Sequence, residues 1–170
     1  LTSNSNLVTK IYFPREVFPL SAVFASLFDS AVASAVVIPL LAIAGVGGSI
    51  FLLWVPVVLL LMILFTSALA IFLSCANLFF RDVKYIIEVF LTFGVLFTPV
   101  FYEARMLGKW QPLLLVNPIA VFLEALNDVV VLHRPPEALW ISYAAGVSLL
   151  GLLVSWRIFK KAEIYFAENI

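Results

Sequence analysis

Charged side chains fall in a few clusters along this chain, and the apolar runs between them set its elements. From Ser30 to Phe80 there is no charged residue at all. A membrane-crossing helix needs about 20 apolar residues, so this run is too long for one span and suits two joined by a tight turn. Gly45-Val46-Gly47-Gly48-Ser49 is short, flexible and uncharged, as such a hairpin requires. The pattern predicts spans over about 20–44, 50–73, 85–102 and 138–159. The expected fold is an all-α integral membrane protein: four transmembrane helices plus a short re-entrant or interfacial helix on the outer side.

The third predicted span has the clearest periodicity. It opens on a charged cluster, Arg81, Asp82 and Lys84, and runs to Tyr102. Phe90, Phe93, Phe97 and Phe101 recur at intervals of three, four and four. At roughly 100° per residue they form one stripe of rings, with Gly94 beside it and Glu88 pointing away. Thr98-Pro99 marks a break near the far end. Ring faces so arranged pack against lipid or a neighbouring helix, or line a pathway.

Between the third and fourth spans, residues 103–137 mix charge with apolar positions. Glu103, Arg105 and Lys109 precede Trp110, and Asn117-Pro118 is a good helix start: Asn caps, Pro takes the first helical position. The helix predicted from there to about Val131 carries Glu124, Asn127 and Asp128 on one side. It is too short and too polar to span, so it is re-entrant or lies at the outer surface. His133, the single histidine, reads as a loop residue.

Composition agrees with a membrane location. The chain has 170 residues, 64% hydrophobic and 12% charged, with a mean hydropathy of +1.15. Soluble domains are nearer half apolar and a quarter charged. Asp29 falls in the first span near Ser26 and Ser30; an acid there faces protein or water, or marks a semi-polar entry. Ser67, Ala70, Ser74 and Asn77 give the second span a face of small and hydroxyl residues that permits close helix approach. Cys75 is the single cysteine, so neither a disulfide framework nor a cysteine metal cluster is expected. The chain starts at Leu1 without a cleavable signal pattern and reads like the middle of a longer protein.

Residues 6–18 place Lys10 and Arg15 around Ile11, Tyr12 and Phe13, with Pro14 and Pro19 breaking any long helix. This predicts a short interfacial segment before the chain enters the bilayer. Lys10, Arg15, Arg81, Lys84, Arg157, Lys160 and Lys161 fall on one side of a four-span topology; Arg105, Lys109 and Arg134 fall on the other. The richer side is expected to be cytoplasmic, with both ends inside. No GxxxxGK[ST] loop is present, so if the chain does mechanical work, the energy is expected to come from another subunit.

NLVTKIYFPREVFPL, FFRDVKYIIEVFLTFGVLFTPVFY, NPIAVFLEALND and the terminal FAENI together resemble the permease of ABC-2 type polysaccharide exporters. That group moves lipid-linked O-antigen, capsular polysaccharide or teichoic acid. The resemblance implies a homodimer in the bacterial cytoplasmic membrane, surrounded by membrane lipid. It also implies a separate ATPase subunit, with ATP and Mg bound there and no cofactor in this chain, a lipid-linked glycan substrate and no nucleic acid. By the same resemblance, Lys10, Tyr12, Phe13, Pro14, Arg15, Glu16, Arg81 and Asp82 would contact the ATPase. Phe90, Phe93, Phe97, Phe101 and Tyr102 would line the path, and Trp110, Asn117, Pro118 and Glu124 would belong to the outer gate. Six spans are usual in that family, so two would precede Leu1. A permease for drugs or lipids, or a non-transporting membrane scaffold or lipid-sugar enzyme using Glu124, Asp128 and His133, are the alternatives.

Overall fold

The computed structural model describes residues 17–43, 48–80, 82–100 and 102–166, and these are helices and connectors with no strand among them. Helix α1 covers Val17–Ile43. After a one-turn 3-10 segment, Ile50–Trp54, helix α2 covers Val55–Phe79. Three shorter helices follow: α3 (Val83–Gly94), α4 (Gln111–Leu115) and α5 (Pro118–Val130). The long helix α6 (Ala138–Phe166) closes the described chain.

Three of these stretches are long and apolar enough to cross a bilayer: Pro19–Leu41, Ile50–Asn77 and Ala138–Ala162. Hydroxyl groups inside α1 are satisfied within the helix. Ser26, Ser30 and Ser34 donate to the carbonyls of Ala22 (3.1 Å), Ser26 (2.8 Å) and Ser30 (2.7 Å). Each therefore sits in an apolar helix without an unmet donor. Asp29 is exposed on α1. Exposed Phe24, Phe28, Val36 and Ile38 give that helix a surface suited to hydrocarbon.

Helices α2 and α6 form the main packed pair. Ser67, Ala68, Ile71 and Cys75 are buried on α2; Ala144, Ser148, Ser155 and Phe159 are buried on α6. Both sets step by three and four residues, as a helix contact stripe must. A Cβ built on Gly151 would stand 3.6 Å from Ala68 Cβ, so the backbones meet over small residues. Relative to the predicted small face, the buried stripe is rotated: Ser67 belongs to it, while Ala70, Ser74 and Asn77 are half-buried.

The predicted span over 85–102 is not one continuous helix. The α-helix ends at Gly94 after 12 residues, and a 3-10 turn, Val95–Phe97, follows. At about 1.5 Å rise per residue, such a helix reaches little more than half of a hydrocarbon core. Thr98 is extended (φ −119°, ψ 139°), the conformation that a following proline favours. Its hydroxyl donates to the Val95 carbonyl (2.9 Å), which closes the turn.

Helix α5 begins where Asn117-Pro118 predicted. The Asn117 side-chain oxygen accepts from the Ile119 N–H at 3.1 Å. Its environment is the less expected feature. Ala120, Val121, Phe122 and Ala125 are buried in one cluster with Val58 of α2 and Ile141 and Ala144 of α6, and Val129 is buried as well. Phe122 meets Phe65 edge to face, centroids 5.9 Å apart. The Tyr143 hydroxyl donates to the Val116 carbonyl (2.7 Å) and ties α6 to the turn before α5. The short helix thus packs against both α2 and α6.

Candidate functional site

The break after Gly94 turns the ring-bearing segment toward the chain that follows it. Phe90, Phe93, Phe97 and Tyr102 line a groove of about 1020 Å³ together with Leu107, Trp110 and Asn117. Among the described residues, no charged side chain lines this groove. Three of its polar wall groups are engaged within the chain. The Tyr102 hydroxyl donates to the Leu96 carbonyl (3.0 Å), Thr98 to Val95, and the Asn117 oxygen is used in capping. What the groove offers is aromatic and aliphatic faces, with Phe90, Phe97 and Trp110 each about 70% accessible.

Behind Trp110 lies a compact charge cluster. A 3-10 strap, Ala104–Trp110, passes over α5. The Ala104 N–H donates to Glu124 Oε2 (3.3 Å). Arg105 reaches three acids. Its Nη2 donates to both Asp128 oxygens (3.4 and 3.5 Å), Nε stands 3.8 Å from Glu124 Oε1, and Nη2 stands 3.8 Å from Glu137. Arg134 holds Asp128 from the other side, through Nε (2.9 Å) and through a still closer Nη2 contact. Burial pushes the Asp128 carboxyl up to about 6. Arg105 opposes that rise; Glu124, Glu137 and Glu103 add to it.

The predicted site residues are distributed as follows. The structure brings Phe90, Phe93, Phe97, Tyr102, Trp110 and Asn117 to one groove. Pro118 opens α5, and Glu124 is buried behind the groove in the charge cluster. Asp82 is exposed at the start of α3, where its backbone carbonyl accepts from Tyr85 (3.1 Å) and Ile86 (3.2 Å). Asp29 sits on α1, outside the groove. Lys10, Tyr12, Phe13, Pro14, Arg15, Glu16, Arg81 and Phe101 lie outside the described residues. Sequence reasoning passed over the roles of Arg105, Arg134 and Glu137. The i, i+4 pair Glu124 and Asp128 on a mostly apolar helix was the available signal, because buried acids require cationic partners.

The sequence profile of the ABC-2 type transporter family matches residues 2–131, most of the chain. The chain belongs to the ABC-2 type transporter family. Among relatives of this ABC-2 membrane protein is the O-antigen export system permease protein RfbA of Myxococcus xanthus. It is 30% identical over 177 residues, covering 100% of this chain and 66% of the relative. Two proteins of the same name from Klebsiella pneumoniae are 30% and 29% identical, each covering 98% of this chain and 64% of its own length. The ABC-2 chain thus spans just under two thirds of the relatives it matches. Membership makes it a multi-pass component of a transporter, in keeping with its apolar helices.

Proposed function

We propose that this ABC-2 chain is part of a permease that exports lipid-linked polysaccharide across the bacterial cytoplasmic membrane, driven by a separate ATPase. The observation that carries the reading is similarity over 98–100% of the chain to proteins named as O-antigen export permeases. The groove supports it on physical grounds. Flat apolar rings let a polymer slide past without fixing any one pattern of hydroxyl groups, and stacking tolerates varied sugars.

In this reading Phe90, Phe93, Phe97, Phe101 and Tyr102 line the path, and Trp110, Asn117, Pro118 and Glu124 form its outer gate. Two copies of the permease face each other. Lys10, Tyr12, Phe13, Pro14, Arg15, Glu16, Arg81 and Asp82 meet the ATPase on the cytoplasmic side, and both ends of the chain are cytoplasmic. ATP and Mg belong to the ATPase. Asp29 lies at a semi-polar membrane entry. The uncharged groove favours one second reading, efflux of lipids or hydrophobic drugs by the same architecture.

The test is to purify the full-length permease with its ATPase and measure ATP hydrolysis. Stimulation by lipid-linked polysaccharide, lost in Phe97→Ala, is the expected result. Stimulation by simple lipids or apolar drugs but not by the glycan lipid would replace the first reading with the second.

A further inference from the structure

The strap Ala104–Trp110 connects the charge cluster to the groove. Leu107 and Trp110 both line the groove, while Arg105 reaches the acids. Gly108 lies between these two jobs with φ +51° and ψ −112°, a backbone state open to glycine, and it breaks the strap before Trp110. Arg105 and Leu107 lie on the same side of that break, so whatever fixes Arg105 bears directly on where Leu107 stands.

Arg105 is not fully seated. Glu124 Oε1 is buried and has no hydrogen-bond donor among the described residues, although the Arg105 Nε is 3.8 Å away. A charge-assisted N–H···O bond closes at about 2.7–2.9 Å. Buried carboxylate oxygens are normally satisfied, so the cluster holds an unmet acceptor beside an available donor. Meanwhile the contacts of Arg105 to Asp128 are long, and Arg134 satisfies Asp128 more closely. Arg105 can leave Asp128 without abandoning it.

We propose that Arg105 is a positioning residue with two seats, one shared with Asp128 and one closed on Glu124, and that moving between them shifts the Leu107 wall of the groove. In the seat described here the guanidinium lies between Glu124, Asp128 and Glu137. In the second seat Nε bonds Glu124 Oε1 and draws the strap further onto α5. Arg134 keeps Asp128 paired in both. The inference concerns the strap alone and holds whatever the groove carries.

The test uses the full-length permease in lipid nanodiscs. A trifluoromethyl tag is placed on a cysteine replacing the exposed Met106, in a Cys75→Ala background, and read by 19F NMR. Two resonances in exchange are expected for the otherwise unchanged protein. Glu124→Gln should favour the Asp128 seat and Asp128→Asn the Glu124 seat. Since a hydrogen bond to a charged group contributes about 1.5–3 kcal/mol, the ratio should move roughly tenfold to a hundredfold, in opposite directions. A single resonance at every temperature in the protein with an intact cluster would overturn the proposal before any cluster variant is made. So would a shift in the same direction for both variants. Loss of polysaccharide-stimulated hydrolysis without either result would bear on the proposed cargo and not on the two seats.

Discussion

At Asp128, burial, two guanidinium groups and neighbouring acids act on one carboxyl, and their balance has a measurable sign. Its pKa rises from the ordinary 3.8 to about 6, with burial the largest cause. The folded chain therefore holds this proton more tightly than the unfolded chain does. Linkage then makes its contribution to stability fall as pH rises from about 4 to about 6, and level off above that. The groups facing it are Arg105, Arg134, Glu124, Glu137 and Glu103. Apparent melting temperatures in detergent should show that decline, and Asp128→Asn should reduce its slope. An unchanged slope in the variant would assign the titration elsewhere. Capping offers a second test at this scale. Asn117→Ala removes the acceptor for Ile119 N–H and should lower stability by about 1 kcal/mol, with Asn117→Ser largely restoring it.

Among the elements, the α2–α6 contact sets how closely the long helices approach. The space at Gly151 admits a methyl group in ordinary contact with Ala68. Gly151→Ala should therefore be tolerated or slightly stabilising, because alanine is favoured over glycine inside a helix by about 1 kcal/mol. Gly151→Leu should instead force the helices apart at a cost of about 1–3 kcal/mol, read as a lower melting temperature. Equal melting temperatures for the two variants would mean that the helices do not meet there.

Elements differed in how much of them the residues disclosed. The long spans were legible because bilayer length and the absence of charge constrain them strongly, and the start of α5 was legible from Asn117-Pro118. Broken geometry was harder to read: periodicity placed Phe97 on the same rod as Phe90, although Gly94 and Thr98-Pro99 end that rod. The charge cluster depends on contacts across about 20 residues of sequence, from Arg105 to Asp128, which no local pattern encodes.

At the scale of the whole molecule, the described residues pack the long apolar helices α2 and α6 against the short α5, and a ring-lined groove lies nearby. The packing of α5 against α2 and α6 buries its acids, which pair with Arg134 and with Arg105 of the strap. Charge is buried beside the groove, and the described residues that line it are mostly aromatic and aliphatic. That is the physical basis for reading the groove as a path for a bulky, repetitive cargo.

The most direct measurement of that claim is photo-crosslinking during ATP-driven export in vesicles. Benzoylphenylalanine in place of Phe97 or Trp110 should capture the lipid-linked polysaccharide in an ATP-dependent way, whereas the same group at exposed Phe28 on α1 should not. Capture at Phe28 with none at Phe97 or Trp110 would contradict the account.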